Sequence, residues 1–228
     1  SLVGSEMCIR DRSRAFITKQ GTSGKEQAPG TADNAVYAPN GTPEQGTSKY
    51  GTSLFMYSIS APTLLLSYHE LKFLEAEALC RLERDAKSAL KDAVVAGLLN
   101  AENSFTISRK ELGKTLINAA SSITEAEAES YFDNTIEAKY TAEPLKTTMT
   151  QKYFALWGAS GEATESYNDV RRMKGLGENF IELKNPNSFP LRCPYGNSDT
   201  TTNAEVKAAY GNGQYVYSEN VWWAGGSR

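Results

Sequence analysis

The densest group of chemically capable side chains in the sequence is Asp169, Arg171 and Arg172, with Glu162 and Glu165 a few residues ahead. Two guanidiniums beside a carboxylate can build a forked, charge-assisted network. A cation pair on the last turns of a helix is also favoured by the helix dipole. Asp169 is therefore expected to pair with Arg171, Arg172 or another nearby cation, with at least one of these charges buried, as a structural tie. Glu162 and Glu165 have the spacing of an acid and base pair for glycoside cleavage, but any helix with two glutamates three apart offers the same. His69 is the single histidine and has no recognisable partner for a nucleophile. Cys8, Cys80 and Cys193 lie far apart and match no metal spacing or disulfide framework. Gly158-Ala-Ser-Gly161 lacks the lysine and spacing of a phosphate loop. Binding without catalysis, and with no cofactor or metal, is the expectation.

The elements that must position these charges run from Met149 to Met173, two helices around the Gly158–Gly161 elbow. Leu145, Met149, Tyr153 and Leu156 form one apolar stripe in the first helix, widened by Phe154 and Trp157, so burial on most sides is expected. Ala163, Tyr167 and Val170 repeat at helical spacing in the second. Upstream, Ser67 with Glu70, Ser108 with Glu111 and Thr124 with Glu127 are capping-box signatures. They predict helices from about residue 67, over 109–120 and over 125–139. The first shows Leu71, Leu74, Ala78 and Leu82 as a stripe, with Phe73, Ala76 and Cys80 on an adjoining face. Asp85 starts a partner whose stripe is small (Ala86, Ala89, Leu90, Ala93, Gly97), and the short connection makes the two antiparallel. Pro144 suits the first position of the next helix.

The flanks read differently. Residues 1–12 show neither stripe nor alternation and read as a leader foreign to the fold. Residues 13–60 are rich in glycine, proline and small polar residues and are expected to be loops. A short strand is predicted where Phe55, Tyr57 and Ile59 alternate ahead of Pro62. From 174 onward proline and glycine forbid long elements, apart from one short helix over 203–210. The aromatics Tyr215, Tyr217, Trp222 and Trp223 predict a tail that packs rather than dangles.

At 228 residues, 40% hydrophobic and 22% charged, the composition is that of a globular domain. A net charge of −3 without a basic block excludes a nucleic-acid footprint. No run of about 18 apolar residues is present to span a membrane as a helix.

Three segments, in order, carry a family resemblance. Phe154-Ala-Leu-Trp-Gly158 followed by Tyr167-Asn-Asp-Val-Arg-Arg172 resembles the C-terminal region of the SusD/RagB family. Ala61-Pro-Thr-Leu-Leu-Leu-Ser-Tyr-His-Glu-Leu-Lys-Phe-Leu-Glu-Ala-Glu-Ala78 resembles its central helix. Phe189-Pro-Leu-Arg-Cys-Pro-Tyr195, Asn203 and Val221-Trp-Trp223 resemble its tail. The resemblance implies a mainly α fold: tetratricopeptide-like helix pairs with long irregular loops and a packed C-terminal tail. It places residues 13–228 in the C-terminal part of a SusD-like domain (13–60 loops, 67–173 helices, 174–228 tail), with the N-terminal part missing. It implies an outer-membrane lipoprotein of Bacteroidetes, held by a lipid anchor in that missing part. Such a protein captures oligosaccharide at the cell surface for a SusC-like TonB-dependent transporter.

Sugars stack on aromatic rings while polar side chains hold their hydroxyls. Tyr37, Tyr50 and Tyr57, among Asn34, Asn40 and Gln45, are the ligand-binding candidates, and at least one ring is expected to face solvent on a concave loop surface. Trp157 is assigned to the core, and Trp222 and Trp223 to pinning the tail. The alternative reading is a helical-repeat interaction module whose concave face holds a peptide or protein.

Overall fold

The computed structural model describes residues 16–19, 26–27, 51–53, 55, 58–112, 122–158, 161–182, 189–211 and 215–226. The leader and the candidates Tyr37, Tyr50 and Tyr57 lie outside them. The chain divides into two units, residues 1–39 with 44–182, and residues 40–43 with 183–228. The fold is mainly helical. One small antiparallel sheet, in the order β2-β1-β3, joins β1 (Phe16–Lys19), β2 (Glu26–Gln27) and β3 (Gly51–Ser53). Ile17 pairs with Thr52, and Lys19 with Glu26. This region was read as loop, and its strand was expected over 55–59. The strand ends at Ser53 instead, and Ser58 folds back on the Phe55 carbonyl through both its N–H and its hydroxyl.

Helices α1 (Tyr68–Arg81) and α2 (Lys87–Leu112) form the central hairpin. They run antiparallel: Gly97 sits beside His69, and Lys72 pairs with Asp92 at 3.5 Å. The small stripe of α2 is buried as expected, with Ala86, Leu90 and Ala93 fully enclosed. Gly97 lets α5 come close, since a Cβ there would stand 3.1 Å from that of Ala155. Of the two expected apolar faces of α1, the one carrying Phe73 and Ala76 is inside together with His69 and Glu77, while Leu71, Leu74 and Leu82 of the other are outside. Glu77 and Glu70 on the inner side belong to a network of charges with α5 and α6.

Both ends of α1 depart from expectation. Ser67 accepts from the Glu70 N–H, but the Glu70 side chain turns inward instead of closing the box. At the other end Glu83 occupies the left-handed position at φ 56°, its N–H bonding Cys80 and that of Arg84 reaching Leu79. This is a Schellman stop with a glutamate where glycine is usual.

Ser108 starts no helix. It lies within α2 and returns its hydroxyl to the Ser104 carbonyl at 3.0 Å. The helix therefore runs to Leu112 where a new one was predicted at 109; residues 113–121 lie outside the description. Thr124 and Glu127 form the full capping box that opens α3 (Glu125–Tyr131). A π turn over Phe132–Ile136 leads into α4 (Glu137–Ala142), burying Phe132 and Ile136 against the core. The Tyr140 hydroxyl accepts from the Ala86 N–H at 2.7 Å and donates to Asp85, which fixes the start of α2.

Helix α5 (Pro144–Ala155) packs on α1 and α2 and buries a largely polar face: Thr147, Thr148, Gln151 and Lys152, with Met149. Trp157, assigned to the core, is about half exposed at 48%. Helix α6 (Ala163–Gly175) faces inward through Val170 and Met173, whereas Tyr167 of the expected stripe is exposed. It ends in a second Schellman stop, here with Gly177 at φ 76°.

In the second unit α7 (Asn197–Thr202) precedes α8 (Ala204–Tyr210). Asn203 caps α8 through Oδ1, and Gly211 ends it at φ 59°. Tyr195 stacks on Tyr210 with centroids 4.4 Å apart, and Arg192 lies over the Tyr195 ring. A 3-10 turn follows at Trp222–Ala224.

Candidate functional site: an ionic seam and an aromatic corner

Asp169 and Arg172, picked out in the sequence, join a seam of charges through α1, α5 and α6. Asp169 accepts from Arg172 at 2.8 Å and pairs with Lys152 at 2.8 Å, and Lys152 is 2% exposed. Arg172 continues to Glu77, donating from Nη2 to Oε2 at 2.8 Å and from Nη1 to Oε1. Glu77 also takes Arg81 Nε at 2.6 Å, and Arg81 closes on Glu178 through both terminal nitrogens at 2.8 and 2.9 Å. The two Schellman stops make this last fork possible, since Arg81 is the last residue of α1 and Glu178 follows Gly177. Burial raises the Glu77 carboxyl, but the two guanidiniums outweigh it and hold it below its usual value. Arg172 is held above its ordinary range, first by Glu77 and then by Asp169. Arg171 stays out of the seam; its guanidinium stacks 5.6 Å from the exposed Tyr167 ring.

At the other end of α1 the seam becomes acidic. Glu70 and Glu162 are both buried and hydrogen-bonded to each other. Burial first, then Glu162, raises the Glu70 carboxyl to about 7. Glu162 Oε1 accepts the Ser67 N–H, while Oε2 has no hydrogen-bond partner among the described residues. His69 Nε2 lies 3.2 Å from the Ser67 hydroxyl and 3.7 Å from Glu162 Oε2. Burial lowers it below its ordinary value, against the pull of Glu162, so the ring is neutral at pH 7. Gly161 completes the joint: a Cβ there would stand 2.5 Å from the Leu64 carbonyl.

The aromatic corner is Phe55, Phe105 and Trp157. Phe55 lies 4.9 Å from Phe105 and meets Trp157 edge-on at 5.3 Å and 85°. Gly158, at φ 76°, admits the Phe55 ring, which a Cβ would strike at 2.6 Å. The neighbouring turn is held by Glu111, whose carboxylate accepts the Ile59 and Ser60 N–H groups at 3.1 Å each. Trp157 is thus a rigidly seated indole with about half its surface in solvent. Sequence reasoning missed it because its spacing fits the Leu145–Leu156 stripe.

Among the described residues no group of three ligating side chains could hold a metal. No helix among them is long and apolar enough to cross a membrane.

Across its whole length the chain is 62% identical to a SusD/RagB family protein from Bacteroides thetaiotaomicron whose crystal structure is known, with a TM-score of 0.84. This chain belongs to the SusD/RagB family. It spans about half of that relative, 49% of its length. No family model and no curated protein matches the chain. Within this SusD/RagB member, the seam joins two of the segments that carried the resemblance, through Glu77 of the first and Asp169 and Arg172 of the second.

Proposed function

We propose that the protein containing this chain captures an oligosaccharide at the bacterial cell surface and passes it to a TonB-dependent outer-membrane transporter, with no reaction catalysed. Supporting this reading above all is the likeness, over the length of this chain, to about half of a SusD/RagB family protein. The outer membrane, reached through a lipid anchor, is the proposed location. The ionic seam is the frame, and the ligand is held elsewhere.

Tyr37, Tyr50 and Tyr57 are the proposed ligand-contacting residues, and the exposure of Trp157 adds it to them. An indole presents a flat, polarizable face to the apolar side of a pyranose, and its seating against Phe55 lowers the entropy lost on binding. Screening the chain on a glycan array and titrating the best oligosaccharide by calorimetry tests the reading. Trp157→Ala and Tyr57→Ala are each expected to weaken binding by about tenfold, or roughly 1.4 kcal/mol. Unchanged affinity in Trp157→Ala, Tyr37→Ala, Tyr50→Ala and Tyr57→Ala would remove the site from these residues. Binding of peptides in place of glycans would favour a helical-repeat interaction module.

A further inference from the structure

We propose that the joint between the start of α1 and the start of α6 is a proton-operated latch. It is closed while Glu70 and Glu162 share a proton, and it opens by fraying of the first turn of α6 when that proton leaves. Both carboxyl groups lie inside, Glu162 at 1% exposure and Glu70 at 6%. Glu162 reaches across to α1, where its Oε1 accepts the Ser67 N–H, and its Oε2 has no hydrogen-bond partner among the described residues. Two carboxylates in contact repel strongly in a buried site, so the contact requires a proton. Burial and Glu162 hold that proton on Glu70 up to about pH 7.

The charged groups around the pair do not replace the proton. Glu165 of α6 adds to the repulsion, and Lys152 of α5 opposes it but is already committed to Asp169 at 2.8 Å. His69, on α1 itself, lies 3.7 Å from Glu162 Oε2, and burial holds it below its ordinary value, so it stays neutral above pH 7. Helix α2 presents Gly97 at this level, against the His69 ring. Opening stays local because α6 is held in two different ways. Its first turn has no side-chain cap, since Glu162 stands at the cap position with its carboxyl turned to α1. Its later turns are tied by Asp169 to Lys152 and by Arg172 to Glu77, opposite charges that keep their attraction through neutral pH. An uncapped turn frays at little cost once its anchor is repelled.

Hydrogen exchange of the intact protein, read by mass spectrometry and corrected for the intrinsic pH dependence of exchange, tests the latch. Between about pH 6 and about pH 8, protection of residues 64–67 and 161–166 is expected to fall about tenfold, as for one group titrating near 7 when closed and near 4.5 when open. Residues 169–175 are expected to keep their protection over the same range. Glu70→Gln retains a donor to Glu162 with no proton to lose, and its protection should not change with pH. Glu162→Gln, which removes the repulsion from the other side, should flatten the profile as well and serves if the first variant does not fold. Equal protection at the two pH values in the parent would overturn the proposal. So would a fall of the same size in residues 169–175, or a fall that persists in the variants.

Discussion

Glu70 on α1 and Glu162, one residue ahead of α6, meet as a hydrogen-bonded carboxyl and carboxylate in the interior. The pair joins the start of α1 to the start of α6, and it depends on a proton. The fold binds that proton more tightly than the unfolded chain does, because the Glu70 value rises from 4.5 to about 7. By linkage, the Glu70 contribution to stability is complete below the unfolded value and is lost as pH rises to about 7. Glu70→Gln keeps the hydrogen-bond donor without the titration. The stability of this variant relative to the parent is expected to increase from pH 4.5 to about 7 and then level off. Urea unfolding at stepped pH measures it, and the difference between the two proteins cancels His69, which titrates in the opposite sense.

Asp169→Ala removes the carboxylate that faces buried Lys152. Stranding a buried charge costs about 3–5 kcal/mol. Arg171→Ala, by contrast, removes a half-buried side chain's stacking contact on the exposed Tyr167 ring and is expected to cost about 1 kcal/mol or less. Equal effects in thermal unfolding would refute the assignment of Asp169 to the seam and Arg171 to the surface.

Helix α1 stops on Glu83 where α6 stops on Gly177, with the same pattern of backbone bonds. A side chain in the left-handed region costs about 1 kcal/mol. Glu83→Gly is expected to stabilise by about 0.5 kcal/mol once the greater freedom of the unfolded glycine is counted, and Gly177→Ala to destabilise by about 1 kcal/mol. Chemical denaturation reads both signs.

Gly158→Ala should be the more damaging glycine change. It combines a positive φ with a Cβ 2.6 Å from the Phe55 ring, so the ring must leave its place beside Phe105 and Trp157. A loss of about 2 kcal/mol or more is expected, with a change in Trp157 fluorescence as the local marker.

Sequence by itself determined the helix pair and much of its punctuation. The small residues of α2, the Thr124 capping box, Pro144 at the first position of α5 and the Asn203–Gly211 limits of α8 are local signals, and local energetics carried them through. The family was legible too, because its motifs are short runs of sequence. Which polar and charged groups the helices bury was decided only by tertiary structure. Apolar periodicity placed Phe73, Ala76, Met149 and Leu156 inside correctly but also chose exposed Leu71, Leu74 and Trp157, and it left Glu77, Lys152 and Glu162 to solvent although they are buried. Periodicity counts carbon and assigns charges to solvent. It cannot anticipate that Arg172, about a hundred residues downstream, returns to neutralise Glu77, or that Glu70 keeps its proton against Glu162. Those partners meet only when α6 closes on α1.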